Sequence, residues 1–352
     1  MSAYQLDTPV LSWMPELEMR DATIGLRGYI SAPDLSGPDS YRLAADGQPL
    51  AEVETFRSPR PATIGLRGDL PVAPTFAGKD EIALRVVNPG TGEFVRDWDH
   101  FFLAQPGLRP AFPLPPVELS YRIIRVRNMT TFELWGYSIK RKYEEAVRPY
   151  TKADSDKPRL LDWGCGCGRL ARFFVGGYDY HGIDIDREAI AWCRQAIPQG
   201  KFEVQSLRAE TGFQSGFFDI VIGNSIFTHL READQFAWLA ELQRIAKPDG
   251  IVAVSVNCAT SLFNAGNKPA IASALKQRGF CDTGPEMVLK GVTADDSYYR
   301  NIYHTHAYIR ETWSRYFFIE KIVPGFVGNM QDLVLMRPLR QPERTPMQHP
   351  AR

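Results

Sequence analysis

Short hydrophobic segments alternate with turn residues through the first hundred residues of the chain. In residues 20–105, clusters of Gly, Pro, Asn or Asp recur roughly every 8–12 residues, a spacing typical of all-β domains. Ile82, Leu84 and Val86 alternate with polar or small neighbours, and this period of two predicts a half-buried strand. The pattern predicts an all-β, sandwich-like accessory domain over residues 1–105.

The same seven letters, ATIGLRG, occur twice within this region, at Ala22–Gly28 and Ala62–Gly68. In a strand, the Ile and Leu of each copy would lie on one face and the Thr and Arg on the other. Two interpretations remain open. The copies are equivalent strands of a pseudo-symmetric sandwich, or they form a paired binding face that uses Arg27 and Arg67.

Residues 106–150 predict a connector followed by a helix. The segment 106–120 is rich in proline, which favours a semi-rigid linker. From 131 to 147, large apolar residues recur at helical spacing: Phe132, Trp135, Ile139, Tyr143 and Val147. We expect this stripe to pack against the rest of the protein, although a helix in this position could also cover a bound ligand.

Strands and helices alternate through residues 151–338. Apolar runs predict strands at 159–163, 180–185, 201–205, 218–223 and 251–256, with helices at 169–175, 187–197 and 234–246. Two further strands are expected near 317–323 and 332–336. This alternation predicts an α/β domain with an open, doubly wound parallel sheet. The polar, proline-rich residues 339–352 predict a disordered tail.

Composition and charge narrow the classes of protein that fit. The 352 residues suggest about two domains, and 41 basic residues balance 41 acidic ones. We therefore expect neither nucleic acid nor a membrane surface as the partner. Neither a membrane span nor a signal peptide is expected. Five cysteines, an odd number, favour free thiols and a cytoplasmic location. The oligomeric state is left open.

A glycine-rich loop follows the first predicted strand of the α/β domain. The segment DWGCGCGR carries Asp162 and glycines at 164, 166 and 168, which allow a tight turn and close approach to a ligand. Arg169 stands where a dinucleotide fingerprint requires its third glycine. By itself the loop is equally compatible with a structural turn.

A carboxylate at the end of the second predicted strand strengthens the case for a nucleotide site. Asp184 lies 22 residues after Asp162, and at this place it can accept hydrogen bonds from both hydroxyls of a ribose. Capping of the next helix is better assigned to Asp186. The loop and the carboxylate together predict a nucleotide-binding crevice.

These segments resemble the class I S-adenosylmethionine-dependent methyltransferases, over residues 155–340 or so. DWGCGCG is similar to the family's D-x-G-x-G-x-G loop, GIDID to its ribose-binding strand end, and residues 218–230 to its fourth strand. The SIFTHL segment and residues 303–332 resemble bacterial members that modify glycans or small molecules. The resemblance implies S-adenosylmethionine as the cofactor and a Rossmann-like methyltransferase sheet.

The resemblance also implies roles for individual residues. Asp162, Gly164 and Gly166 would line the methionine end of the cofactor, and Asp184 would hold the ribose. Ile185 would lie against the adenine, and Asn224 would lie under the sulfonium. Many family members place an Asp after the third strand for the adenine amino group. This chain has Val204-Gln205-Ser206-Leu207 there, so the contact is expected from backbone or from Ser206.

Histidine is the expected general base for a hydroxyl acceptor. His229 follows the fourth predicted strand and is the best-placed candidate, unless it only orders its loop by hydrogen bonding. His304 and His306 are further options. With Asp295-Asp296 they could form a metal site, but alternating histidines are more often structural, and we expect no metal.

The predicted function is methyl transfer from S-adenosylmethionine to a hydroxyl of a saccharide, glycan or small metabolite. The chain lacks the [DN]-P-P-[YF] motif and the Pro-Cys dipeptide of nucleic-acid methyltransferases. One alternative is an NAD- or nucleotide-sugar-linked oxidoreductase, against which Arg169 argues. The other is a non-catalytic interaction protein with a methyltransferase fold.

Overall fold

The computed structural model describes seven strands between residues 16 and 103. It also describes residues 112–339, apart from short gaps at 126, 128, 152–156, 265–267, 287–294, 296 and 329. The predicted tail from residue 340 onward lies outside the described residues. The first seven strands are β1 (Glu16–Arg20), β2 (Thr23–Ser31), β3 (Ser40–Ala45), β4 (Gln48–Arg57), β5 (Thr63–Pro71), β6 (Glu81–Val87) and β7 (His100–Leu103).

These strands form one antiparallel sheet in the order β1-β2-β5-β4-β3-β6-β7. The two ATIGLRG copies fall on β2 and β5, which are direct neighbours, and Arg27 lies opposite Arg67. Like charges directly opposite each other destabilise a strand pair. Arg67 is exposed and forms an ion pair with Glu54 on the neighbouring strand β4, with 3.1 Å between Arg67 Nη2 and Glu54 Oε2. The repeat thus generates two adjacent, mutually paired strands.

Two helices precede the second sheet: α1 (Val117–Ile124) and α2 (Met129–Val147). The α2 helix matches the predicted one to within two residues. Of its predicted stripe, Phe132, Ile139, Tyr143 and Val147 are buried, so α2 is a packing helix as expected. The α1 helix lies partly in the segment that was expected to be a connector.

The second sheet is made of β8 (Arg159–Trp163), β9 (Asp179–Asp184), β10 (Lys201–Val204), β11 (Phe218–Gly223), β12 (Ala246–Asn257), β15 (Phe317–Val327) and β16 (Gln331–Pro338). Its order is β10-β9-β8-β11-β12-β16-β15. The first five strands are parallel, and the last two join antiparallel. This is the predicted doubly wound sheet, and its strand order reverses between β8 and β11.

The helices that follow are α3 (Ala171–Phe174), α4 (Arg187–Ala196), α5 (Glu232–Ile245), α6 (Lys268–Arg278) and α7 (His306–Thr312). They cover both faces of the sheet, except for α6, which packs Ile271 and Leu275 against Cys281 and Tyr303 instead. The expected cap is present, since Asp186 accepts hydrogen bonds from the N–H groups of Glu188 and Ala189. On α5 the buried face includes Trp238 and Leu239, whereas Phe236 is only half-buried. A small antiparallel pair, β13 (Phe280–Pro285) and β14 (Arg300–His304), lies beside this domain.

The hydrophobic core lies on both faces of the sheet. One cluster joins α2, α3 and α4 to one face, and the other joins α5 and the segment 309–317 to the opposite face. All five cysteines are buried and free. Throughout the described part of the chain, every helix is too short or too polar to cross a lipid bilayer.

Candidate cofactor site

A cavity opens at the carboxyl ends of β8 and β11, where the strand order of the second sheet reverses. Including its open mouth, the cavity has a volume of about 1160 Å³. Open α/β sheets bind their ligands at this position because loops there diverge to opposite faces. Seven of the eight residues predicted for the site line the cavity: Asp162, Gly164, Gly166, Asp184, Ile185, Asn224 and His229.

The glycine loop after β8 forms the floor of the cavity. Gly164 has φ +80°, and a Cβ placed on it would lie 2.0 Å from Ile226 Cδ1. Gly166 has φ +53°, and its Cβ would lie 2.4 Å from Ile123 Cδ1. Both positions therefore require glycine, for backbone conformation and for space.

Asp184 organises this loop. One carboxylate oxygen accepts a hydrogen bond from the Gly166 N–H at 2.7 Å, and the other accepts from the Asp186 N–H at 2.8 Å. Burial raises the pKa of Asp184 to about 6, although these backbone donors oppose the shift. A carboxylate offers about four lone-pair sites, so it can accept further hydrogen bonds from ribose hydroxyls.

Asp162, the last polar residue of β8, has one unsatisfied carboxylate oxygen. Its Oδ2 accepts a hydrogen bond from the Tyr180 hydroxyl at 2.7 Å. Its buried Oδ1 has no partner within the described part of the chain. Burial raises the pKa of Asp162 to about 7. Such an atom is costly unless a ligand satisfies it, and a cationic ligand would also favour the ionised form.

Two more unsatisfied polar atoms belong to residues that line the same cavity. Arg169 is buried, with 8% of its surface exposed, and its Nε lacks a partner among the described residues, as does the Asn224 Oδ1. Burial lowers the pKa of the Arg169 guanidinium. From the sequence, Arg169 was notable only because it stands where a dinucleotide fingerprint has glycine. In the structure it is a buried residue of the cavity lining.

The lid of the cavity is α1. Its residues Leu119, Arg122 and Ile123 line the cavity, whereas no residue of α2 does. Arg122 forms ion pairs of 2.8 Å with Asp186 and with Glu188, which tie α1 to the start of α4. The helix that lines the cavity in this structure is thus α1, within the same 106–150 segment, and a covering role for the helix at 131–147 stays a prediction.

Ser206 does not line the cavity. Its hydroxyl accepts a hydrogen bond from the Arg208 N–H at 3.2 Å, within the loop after β10. The neighbouring Gln205 lines the cavity instead, and its side-chain amide donates to the carbonyls of Arg208 and Glu210. Ile185 lies beside it in the cavity wall. The structure therefore places Gln205, rather than Ser206, at the expected adenine end.

His229 is held by a hydrogen bond at one ring nitrogen and by a stacked tyrosine ring. Its Nδ1 lies 2.7 Å from the Arg300 carbonyl, which can only accept, so Nδ1 carries the proton. The Tyr299 ring stacks on the imidazole with ring centroids 3.7 Å apart, and its hydroxyl oxygen lies 2.6 Å from His229 Nε2 on the ring face. Burial lowers the pKa of His229 to about 4, so the ring is neutral at pH 7. Tyr299 also lines the cavity.

His304 and His306, which the sequence offered as one possible metal site, bond different partners in the structure. His304 is buried, with its Nε2 2.9 Å from Gln235 Oε1. His306 lies 2.6 Å from Asp332 instead. Asp295 bonds the Ser297 hydroxyl and N–H, and no described contact joins it to either histidine.

The cavity residues match the polar groups of an adenosine that carries an α-amino acid. The Asp162 carboxylate can take an ammonium group, the Arg169 guanidinium a carboxylate, and Asp184 a ribose diol. The side chains of Ile226 and Ile123 lie directly over Gly164 and Gly166. A doubly wound sheet with this loop and this acidic strand end is the arrangement that the resemblance to the S-adenosylmethionine-dependent methyltransferases implies.

Comparison with known proteins agrees with this class. Residues 161–254 match the family described as "Methyltransferase domain". This match supports the prediction of a methyltransferase domain in this part of the chain. A "Probable fatty acid methyltransferase" from Pseudomonas putida is 32% identical over 99 residues. That match spans 26% of this chain and only 25% of the relative.

Solved methyltransferase structures are similar at low identity. An S-adenosylmethionine-dependent methyltransferase from Clostridium acetobutylicum is 11% identical, covering 62% of this chain and 95% of its own, with a TM-score of 0.42. The 1,6-didemethyltoxoflavin-N1-methyltransferase of Burkholderia thailandensis is 15% identical, covering 65% and 92%, with a TM-score of 0.41. Both similarities are too distant to bear on the chemistry of this chain.

Proposed function

We propose that this chain transfers the methyl group of S-adenosylmethionine to a hydroxyl group of a saccharide, glycan or other small metabolite. The observation that carries the proposal is the set of unsatisfied buried atoms on Asp162, Arg169 and Asn224 in one cavity. An acidic, a basic and an amide group that each have one buried atom without a partner in the described part of the chain are complementary to the zwitterionic end of the cofactor. A fold retained only for protein interaction would not need them.

In this proposal Asp162 binds the ammonium and Arg169 the carboxylate of the cofactor's methionine portion. Asp184 binds the ribose hydroxyls while it holds the loop through Gly166. When bound, the cofactor supplies an electrophilic methyl group on a sulfonium. Asn224 at the end of β11 then lies beside that group, as the resemblance implies. The protein's main task is to hold the acceptor in line with the departing sulfur.

Proton removal is assigned to His229, with Tyr299 beside it. Because His229 Nδ1 donates to the Arg300 carbonyl and the Tyr299 ring covers only the face of the imidazole, the in-plane lone pair of Nε2 is available to an acceptor hydroxyl. As the acceptor oxygen gains the methyl group and the sulfur–methyl bond breaks, the acceptor proton would pass to His229 Nε2, while the Tyr299 hydroxyl helps to hold the acceptor. A base with a pKa of about 4 is sufficient, because a hydroxyl proton becomes strongly acidic when its oxygen is alkylated.

A small-molecule or glycan acceptor fits the observed walls. The acceptor end is formed by Leu230, Trp238, Tyr298 and Tyr299, so apolar and aromatic surface is combined with a few hydroxyls. Such walls are typical of small-ligand sites, and aromatic faces also suit sugar rings. No nucleic-acid partner is proposed, since the chain has no excess of basic residues.

The organisation of the whole chain is part of the proposal. Residues 1–105 are proposed to form the all-β accessory domain, which the seven antiparallel strands support; these strands form one sheet, whereas the predicted sandwich requires two facing sheets. Residues 106–150 connect it to the methyltransferase domain at 151–338, which is proposed to be of the bacterial small-molecule type. The five free, buried cysteines support a cytoplasmic location.

Calorimetry of the full chain tests the cofactor. We expect S-adenosylhomocysteine to bind, NAD(H) not to bind, and Asp184→Ala to lose the binding of S-adenosylhomocysteine. Ser206→Ala is the matched control and should bind like the unaltered protein. Binding of NAD(H) without S-adenosylhomocysteine would favour the oxidoreductase alternative.

Transfer of a labelled methyl group tests the reaction. The screen covers sugars, lipid-linked glycans, peptides and small metabolites. With an acceptor in hand, Tyr299→Phe and His229→Ala should each lower kcat by about 10²–10⁴-fold. Tyr178→Phe is the control, because Tyr178 does not line the cavity and its hydroxyl donates to Glu144. Full turnover by both variants would remove the proton path, whereas cofactor binding without transfer to any acceptor would favour the non-catalytic alternative.

A further inference from the structure

A cluster of three metal-ligand side chains lies outside the cofactor cavity. Cys258 follows the end of β12, Asp332 lies on β16 and His306 begins α7. Their ligand atoms, one thiol sulfur, one carboxylate oxygen and one imidazole nitrogen, all lie within 4.8 Å of one another. None of the three lines the cofactor cavity. The cluster is therefore separate from the proposed methyl-transfer site.

The sheet and the helix cap fix the positions of all three residues. Asp332 pairs with Val256 in the antiparallel register of β12 and β16, two residues before Cys258. On α7 the Thr305 side chain caps the helix, so His306 is held as the first helical residue. Residues separated by about 75 positions in the chain are thus brought to one point by rigid elements, which lowers the cost of ordering a metal site.

The carboxylate is oriented by its surroundings. Asp332 is 1% exposed, and its Oδ1 accepts hydrogen bonds from the Thr260 hydroxyl at 2.6 Å and from the Gly325 N–H at 2.9 Å. Its Oδ2 lies 2.6 Å from His306 Nε2. The Thr260 and Gly325 contacts hold Oδ1, which leaves Oδ2 on the side of His306. Metal-binding carboxylates are commonly oriented by hydrogen bonds of this kind.

The donor set selects the class of metal. A thiolate with an imidazole and a carboxylate suits Zn²⁺ and similar transition metals, whereas Mg²⁺ and Ca²⁺ take oxygen ligands. Neighbouring ligand atoms around tetrahedral Zn²⁺ are about 3.3–3.6 Å apart, from bond lengths of about 2.0–2.3 Å. Shifts of about 1 Å would bring the three side chains to this geometry. Because 42% of the His306 side chain is exposed, an ion and a water as fourth ligand can enter from that side.

We propose that Cys258, His306 and Asp332 bind one Zn²⁺-type ion, with water in the fourth position. The ion would tie the end of the fifth parallel strand to the closing hairpin and to α7. The alternative is a plain hydrogen-bonded ion pair between His306 and Asp332, in which Cys258 has no role as a ligand.

Cobalt substitution tests the proposal on the full-length chain. Protein stripped with a chelator is titrated with Co²⁺, followed by the thiolate-to-cobalt charge-transfer absorption, and then with Zn²⁺ to displace the cobalt. We expect one equivalent to bind, loss of the absorption in Cys258→Ser, and at least tenfold weaker binding in His306→Ala. The matched control is Cys281→Ser, which replaces a different buried thiol and should bind like the unaltered protein.

Two further measurements keep the test decisive. Binding of S-adenosylhomocysteine by the same variants reports whether they are folded, independently of metal. Zn²⁺ should raise the thermal unfolding midpoint of the unaltered chain and of Cys281→Ser, but not of Cys258→Ser. If Cys258→Ser does not fold, His306→Ala decides, because its site is partly exposed. The absence of a charge-transfer band in the unaltered chain, or an undiminished one in the folded Cys258 or His306 variant, overturns the proposal.

Discussion

Replacement of Asp162 by Asn should weaken cofactor binding. It should also stabilise the free protein at high pH and destabilise it at low pH. Asp162 is 1% exposed, and one of its oxygens has no partner in the described structure. In the folded protein its pKa is raised by burial from 3.8 to about 7. An acid with a raised folded-state pKa binds more protons when folded, so its ionisation destabilises the fold increasingly from about pH 4 to about pH 7.

The magnitude follows from the pKa difference. At about 1.36 kcal/mol per pH unit, ionised Asp162 costs the folded protein about 4 kcal/mol above pH 7 and almost nothing below pH 4. Asn avoids this cost but brings amide donors that the site satisfies poorly, a loss of about 1–3 kcal/mol at every pH. Asp162→Asn should therefore be more stable than the unaltered protein at pH 8, by about 1–3 kcal/mol, and less stable at pH 4.

Urea unfolding at pH 4, 6 and 8 measures this difference, and calorimetry at pH 8 measures binding of S-adenosylhomocysteine. We expect the difference in the free energy of unfolding to change by about 4 kcal/mol across the range, and the affinity to fall about 10–100-fold. The control is Asp219→Asn, a partly exposed carboxylate at the opposite end of β11 that bonds Lys247. A pH-independent difference, or unchanged affinity in Asp162→Asn, would refute the reasoning.

Four other substitutions examine the cavity. Gly164→Ala should abolish cofactor binding and destabilise the fold by about 1–3 kcal/mol, since its Cβ would collide with Ile226; calorimetry and thermal melting report both effects. Arg169→Met should weaken S-adenosylhomocysteine at least tenfold but leave adenosine binding nearly unchanged, so an equal loss for both ligands would contradict the role at the carboxylate. Ser206→Ala should match the unaltered protein in calorimetry, whereas Gln205→Ala should weaken adenosine binding several-fold; the reverse order would restore Ser206 to the adenine end.

Local sequence predicted most of the methyltransferase domain because its strands are short, apolar and bounded by turn residues. Both β8 and β11 begin and end where the sequence placed them. In contrast, β12 begins five residues earlier than expected, because Ala246 pairs with Phe218 before the main pairing resumes at Ile251. Lys247-Pro248-Asp249-Gly250 lie in the bulge between these two paired segments, so the polar residues still interrupt the pairing as local sequence suggests.

The acidic and glycine residues of the site were predictable for a topological reason. Carboxyl ends of adjacent parallel strands meet at one edge, so Asp162 and Asp184 had to lie close together. Tyr299 could not be found this way, because it contacts His229 across 70 residues of chain. The α1 lid was hidden by the prolines before it, which predict a linker. Arg169 was visible, but only its buried position shows that it faces the ligand.

The sequence by itself determined the sheet, the glycine loop and the two carboxylates, because hydrophobic period and strand ends are local properties that one fold class joins in one way. The tertiary structure alone decided which groups meet across the chain. These contacts include the lid over Gly166, the stacking of Tyr299 on His229, and the cluster of Cys258, His306 and Asp332. Each depends on packing between distant segments, and such packing has no local signature.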